Sequence, residues 1–182
     1  MESDTEVLNS ICTAFSGYDR DTKMVVAVSQ FKTHPHEDVR FGVVQGLLWC
    51  PEETAISTLI ELSRDADDDV RDWATFGIGQ IIDNADNPEQ FDTPPIRQAL
   101  YDRLDDPHWE TSFEALAGLA LRRDTRIVNR IVKMLVDDQP MANSELCDAL
   151  RDMRHLYTGN EELLERALSQ CVDNTEFGIL GL

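Results

Sequence analysis

The sequence predicts an all-α protein built from stacked helix hairpins, and three observations carry that prediction. Apolar residues recur with the period of a helix, and strand-like alternation is nowhere sustained. Prolines fall at or just before the starts of the helical segments, where a missing N–H costs little. A stretch opening on an acid and a β-branched or small polar residue also recurs along the chain, which is how repeat architectures announce themselves.

The elements follow in order. A segment over 5–16 lies within an N-terminal cap of about residues 1–19. Segments 21–33 and 37–49 form a first hairpin, with Pro35 in its turn. Segments 52–64 and 69–83 form a second, opened by Pro51, and 95–104 and 109–122 a third, opened by Pro94 and Pro95 and turned at Pro107. Segments 125–136 and 143–156 follow, with Pro140 between them, and 161–172 belongs to a C-terminal cap of about 158–182. Most gaps are a few residues long, which forces successive helices to pack antiparallel.

The second helix of each hairpin carries the repeat. Asp38-Val39-Arg40-Phe41-Gly42 aligns with Asp69-Val70-Arg71-Asp72-Trp73, and Glu110-Thr111-Ser112-Phe113-Glu114 is a weaker third copy. Gly46, Gly77 and Gly118 then share one column at offsets of 31 and 41 residues. The longer offset is absorbed by the polar stretch 83–92, which reads as an extended loop. The opening acid accepts hydrogen bonds from unpaired N–H groups and complements the helix dipole. Glycine inside a helix costs about 1 kcal/mol, so its recurrence requires close helix–helix contact in return.

Asp65-Ala66-Asp67-Asp68-Asp69-Val70-Arg71-Asp72-Trp73-Ala74-Thr75-Phe76-Gly77 resembles the turn and second helix of HEAT repeats, especially the small HEAT-like type of phycobilin lyases. His34-Pro35-His36-Glu37-Asp38-Val39-Arg40 looks like the same element, and Asp105-Asp106-Pro107 with Glu114-Ala115-Leu116-Ala117-Gly118 is similar, with Ser112 in place of the arginine. The resemblance covers about residues 20–157. It implies a right-handed α-solenoid forming one domain over 1–182, and it makes Arg40 and Arg71 structural rungs between repeats. Function does not follow from the fold, because HEAT repeats serve many purposes.

Composition narrows the function. Lys and Arg number 16 against 35 Asp and Glu, a net charge of −19. That balance opposes both a phosphate-neutralising surface and an anionic membrane. No apolar run reaches the roughly 20 residues of a membrane span. The acidic opening Met1-Glu2-Ser3-Asp4 lacks the positive start of a secretory signal. Cys12, Cys50, Cys147 and Cys171 lie far apart without metal spacing, so four buried free thiols and a cytoplasmic protein are expected.

HEAT-like enzymes supply the alternative reading: a diiron hydroxylase, a bilin lyase or a DNA glycosylase. A diiron centre takes about six protein ligands, and this chain offers one His-Glu pair, His36-Glu37, with Asp68-Asp69 and Trp109-Glu110 at the equivalent places. Asp65, Asp67, Asp68 and Asp69 resemble a calcium loop, but Val70 and Phe76 stand where glycine and a bidentate Glu are required. A glycosylase needs a basic face; the densest basic cluster, Arg122, Arg123, Arg126, Arg130 and Lys133, spans only one turn and one helix. Gly77-Ile78-Gly79 lacks the preceding strand of a dinucleotide site. No catalytic, metal or cofactor residue is nominated, and no cofactor is expected.

The expected function is a non-enzymatic, monomeric scaffold that docks a basic or mixed-charge protein or peptide on its concave face. Advancing 100° per residue puts Val39, Val43 and Gly46, and Val70, Ala74 and Gly77, on the packed stripe. Phe41, Asp72 and Phe113 lie nearly opposite, with Gln45 and Phe76 beside them. These five residues are the expected partner surface, a shallow apolar groove with Asp72 at its centre. The competing possibility is a buried arc wide enough to enclose the rings.

Overall fold

A computed structural model describes residues 4–15, 21–82, 88–136 and 144–173. Pro140, the outer ends of both caps and the first half of the expected long loop lie outside these residues. Among the described residues the fold is all-helical, with no strand. Ten α-helices run α1 (Thr5–Ala14), α2 (Thr22–Ser29), α3 (Glu37–Leu47), α4 (Glu53–Leu62), α5 (Asp68–Gln80), α6 (Pro94–Arg103), α7 (Trp109–Leu121), α8 (Val128–Val136), α9 (Ser144–Met153) and α10 (Glu161–Asp173). The second half of the expected loop contains a short 3-10 turn, Pro88–Phe91, whose Phe91 ring is buried.

The chain divides into two compact units, Met1–Gly118 and Leu119–Leu182. In the first, α1, α3 and α5 pack side by side, and α2, α4 and α6 form a second layer against them. Between the layers lie Val39, Val43 and Leu47 of α3, Leu59 of α4, and Val70, Ala74 and Ile78 of α5, all buried. Each large aliphatic chain so enclosed contributes about 1.5–3 kcal/mol. In the second unit α8 packs on both α9 and α10.

The glycine column does permit close approach. A Cβ on Gly46 would collide with the Cys12 carbonyl oxygen of α1, and one on Gly118 would sit 2.7 Å from the Gly79 Cα of α5. At Gly77 the obstacles are side chains, Leu48 Cδ2 at 2.9 Å and Leu59 Cδ1 at 3.3 Å.

Two expectations need correction. Asp38 and Asp69 do not cap their helices. Each stands in the first turn, and the caps are His36, whose Nδ1 accepts the Asp38 N–H at 3.3 Å, and Asp67, which accepts the Val70 N–H at 3.1 Å. Nor are all four cysteines free. Cys12 and Cys50 are, but Cys147 and Cys171 are disulfide-bonded, because the packing of α9 on α10 brings their Cα atoms to 5.3 Å across a separation of 24 residues.

Candidate functional site

The arginine column comes first, because it holds the first unit's turns in place. Arg40 donates from Nε and Nη2 to both Asp65 oxygens at 2.7 Å, and from Nη1 to the His34 carbonyl at 2.9 Å. Arg71 repeats the pattern one turn later, forking onto Asp106 at 2.9 and 3.0 Å and donating to the Asp65 carbonyl at 2.9 Å. Each arginine thus joins its own turn to the next. Burial pushes the Asp65 and Asp106 carboxyls up, but the arginine forks and the N–H groups of Asp67 and His108 outweigh it, and both are held below the usual carboxylate range. In α7 the column ends at Ser112, whose hydroxyl donates to the Leu104 carbonyl at 2.6 Å.

These pairings and the α5 cap employ three of the four acids that resembled a calcium loop. Asp65 holds Arg40, Asp67 caps α5 and Asp68 pairs with Arg71 at 2.5 Å. His36 is engaged as a cap beside Asp38. Within the basic cluster, Arg123 pairs with Asp152 at 2.7 Å and Arg126 with Asp124 at 2.9 Å. No group of three or more metal-binding side chains forms among the described residues.

The five residues of the expected groove are all half-buried, neither enclosed nor open. Phe41 and Phe76 are drawn together, but through a residue that sequence reasoning passed over. Trp73 meets Phe41 edge-on, with ring centroids 6.2 Å apart, and meets Phe76 at 5.6 Å. Phe76 in turn meets Trp49 edge-on at 5.6 Å. The result is an unbroken row, Trp49–Phe76–Trp73–Phe41, across α3 and α5, with Trp49 41% and Trp73 40% exposed. Gln45 shares the outward side of α3. Phe113 joins no ring pair among the described residues.

Asp72 lies at the side of this row, toward α7. Burial raises its carboxyl above the usual range; His108 and the Thr111 hydroxyl oppose the rise, while Glu110 and Asp69 add to it. Its Oδ1 is buried without a hydrogen-bond partner. His108 Nδ1 lies 3.1 Å from the Thr111 hydroxyl, and its Nε2 3.2 Å from Glu110.

Trp49 sits at φ 61°, just past the end of α3, in the left-handed position that helices usually give to glycine. A bulky side chain there costs of order 1–3 kcal/mol. The left-handed turn places an exposed indole against Phe76, a contact that helps offset this cost. The expected segment 37–49 includes Trp49, whereas α3 ends at Leu47, so a helical wheel misplaces this side chain. Trp73 could have been found, since it shares the outward arc of α5 with Asp69 and Phe76.

No protein-family model matches the chain. Over 78 residues, 43% of this chain, it is 33% identical to Protein YibA of Escherichia coli strain K12, and equally to YibA of strain O157:H7. The matched segment spans only about a quarter of YibA's length. The X-ray structure of E. coli YibA is similar at a TM-score of 0.53 and 20% identity, covering 92% of this chain and 69% of that one. The crystal structures of two engineered proteins are similar at a TM-score of 0.56, with 16% and 15% identity, and cover 96% of this chain and 90% and 92% of theirs. At these identities the likeness is one of fold.

Proposed function

We propose that this protein is a non-enzymatic scaffold: a right-handed α-solenoid of HEAT-like hairpins that docks a basic or mixed-charge protein or peptide. The observation that carries the reading is the row Trp49–Phe76–Trp73–Phe41. Tryptophans 40% exposed and locked edge-to-face offer a large, rigid contact area on the outward side of α3 and α5. The absence of any helix among the described residues long and apolar enough to cross a membrane accords with a partner in solution. The net charge of −19 favours a basic partner and speeds its encounter.

The test is capture from native lysate with the immobilised chain, set against a Trp49→Ser/Trp73→Ser variant of unchanged helicity. A protein retained by the first and lost by the second is expected. Equal capture by both, stoichiometric iron in the purified protein, or duplex-DNA binding at physiological salt would each overturn the reading.

A further inference from the structure

Helix α5 sets two carboxylates and two rings in one small field. Asp69, Asp72, Trp73 and Phe76 are related by steps of three and four residues, so they are nearest neighbours on one arc of the helix. Toward α3 this field continues into rings, Phe41 against Trp73 and Trp49 against Phe76. Toward α7 it continues into polar groups, with Asp72 close to Glu110, Thr111 and His108. The surface is therefore aromatic along one margin and anionic along the other.

Among the described residues no arginine or lysine of α3 or α5 is open to the field, and His108 is the basic side chain beside Asp72. The two arginines of α3 and α5, Arg40 and Arg71, are committed to the turn carboxylates. Asp69 is exposed, and the half-buried Asp72 has its Oδ1 buried without a hydrogen-bond partner. Phosphate-bearing ligands and anionic lipid would be repelled here. A purely apolar helix laid over the field would bury Asp69 and Asp72 unpaired, which is costly. A group that is flat, apolar on its faces and cationic at its edge suits both margins at once, and the arginine side chain is that group.

We propose, resting on the scaffold reading above, that this field docks an extended, arginine-bearing segment of a partner protein. One guanidinium stacks on the Trp73 indole and forks onto Asp69, with the charge of Asp72 behind it. Phe41, Phe76 and Trp49 receive the neighbouring side chains of the segment. The burial that raises the Asp72 carboxyl is offset when the cation arrives. The strained backbone at Trp49 holds the last ring of the row ready before the segment binds.

The experiment titrates the full chain, at physiological salt, with a fluorescein-labelled peptide of repeating Gly-Ser-Arg, following anisotropy and tryptophan quenching. Saturable binding is expected. Trp73→Ala and, separately, Asp69→Lys should each weaken it about 10-fold. Asp69 is exposed, so its replacement tests the site even if Trp73→Ala melts early. The matched Gly-Ser-Lys peptide should bind several-fold more weakly, because an ammonium does not stack as a guanidinium does. Glu161→Gln with Glu162→Gln and Glu165→Gln, a charge change on α10, should leave the affinity within about twofold. Equal weakening by the α10 variant, or indifference to both Trp73→Ala and Asp69→Lys, would reduce the binding to general attraction for an acidic chain and overturn the proposal. If peptides of Gly, Ser and Leu bind in a Trp73-dependent way and the arginine peptide does not, the arginine assignment falls and the scaffold reading stands. Failure of every peptide to bind also refutes the arginine assignment, and lysate capture then decides the scaffold reading independently.

Discussion

Replacing Arg71 by alanine removes the fork that joins the turn before α5 to the turn before α7. The Asp106 side chain is 2% exposed and that of Arg71 8%, so the variant leaves a buried carboxylate without its main cation. Removing one partner of a buried pair costs about 3–5 kcal/mol. Asp106 keeps Arg103 at 3.0 Å and the His108 N–H at 3.0 Å, which puts the expected loss near the lower end, about 3 kcal/mol. For a chain of this size that corresponds to a melting temperature lower by roughly 6–12 °C. The pH dependence has a definite sign. The folded-state pKa of Asp106 is depressed, so its stabilisation is fully present above the ordinary carboxylate value and is lost as pH falls through the lowered one. The gap between wild type and Arg71→Ala should therefore be widest at neutral pH and narrow from about pH 5 downward. Thermal melts by circular dichroism at pH 7 and in the acid range measure both quantities. Arg64→Ala, which removes an ion pair with side chains 49% and 33% exposed, is the control, expected to cost less than about 1 kcal/mol. If Arg71→Ala costs no more than that control, or if the gap ignores pH, the rung is not structural.

Three further outcomes are expected. Gly118→Ala should destabilise by about 1–3 kcal/mol and Gly77→Ala by less, because the first meets the Gly79 backbone and the second movable leucine methyls; equal denaturation midpoints would count against this. Asp72→Asn should raise the melting temperature at neutral pH. Its folded pKa is raised, so the ionised form costs stability above that pKa, and the benefit should fade as pH falls through it; a lowered melting temperature at pH 7 contradicts this account. Reducing the Cys147–Cys171 bond should cost about 3.5 kcal/mol by the loop-entropy relation, read as faster amide exchange in α9 and α10, and unchanged exchange would refute it.

The helices were legible because their signals are local. Periodicity and proline positions found all ten; the repeat register aligned Arg40 with Arg71 and Ser112, and the resemblance to HEAT-like repeats supplied the reading of the two arginines as rungs. What was not legible depended on contacts between elements. The repeat points to Asp38 and Asp69 as caps, whereas the chain bends two residues earlier in each case, at His36 and Asp67. Cys147 and Cys171 are 24 residues apart in sequence, and only the packing of α9 on α10 joins them. The wheel put Phe41 and Phe76 on the arc that carries the ring row, but Trp73 has Gly42 and Glu114 as its counterparts in the other copies, so no repeating aromatic marks it.

The two ends of α5 differ in how freely the chain can change length there. At the N-terminal end, five residues separate α4 from α5, and five separate α6 from α7; Asp65 and Asp106 occupy the same place in both intervals. One inserted residue in either interval would carry its aspartate out of reach of the arginine fork. Nine residues further along, at about 1.5 Å each, the end of α5 lies roughly 14 Å from Arg71. There the chain absorbs the extra length of stretch 83–92 while both forks stay intact. Insertion, natural or engineered, is thus tolerated after α5 and not in the two five-residue turns before α5 and α7, whose aspartates must reach the arginine forks.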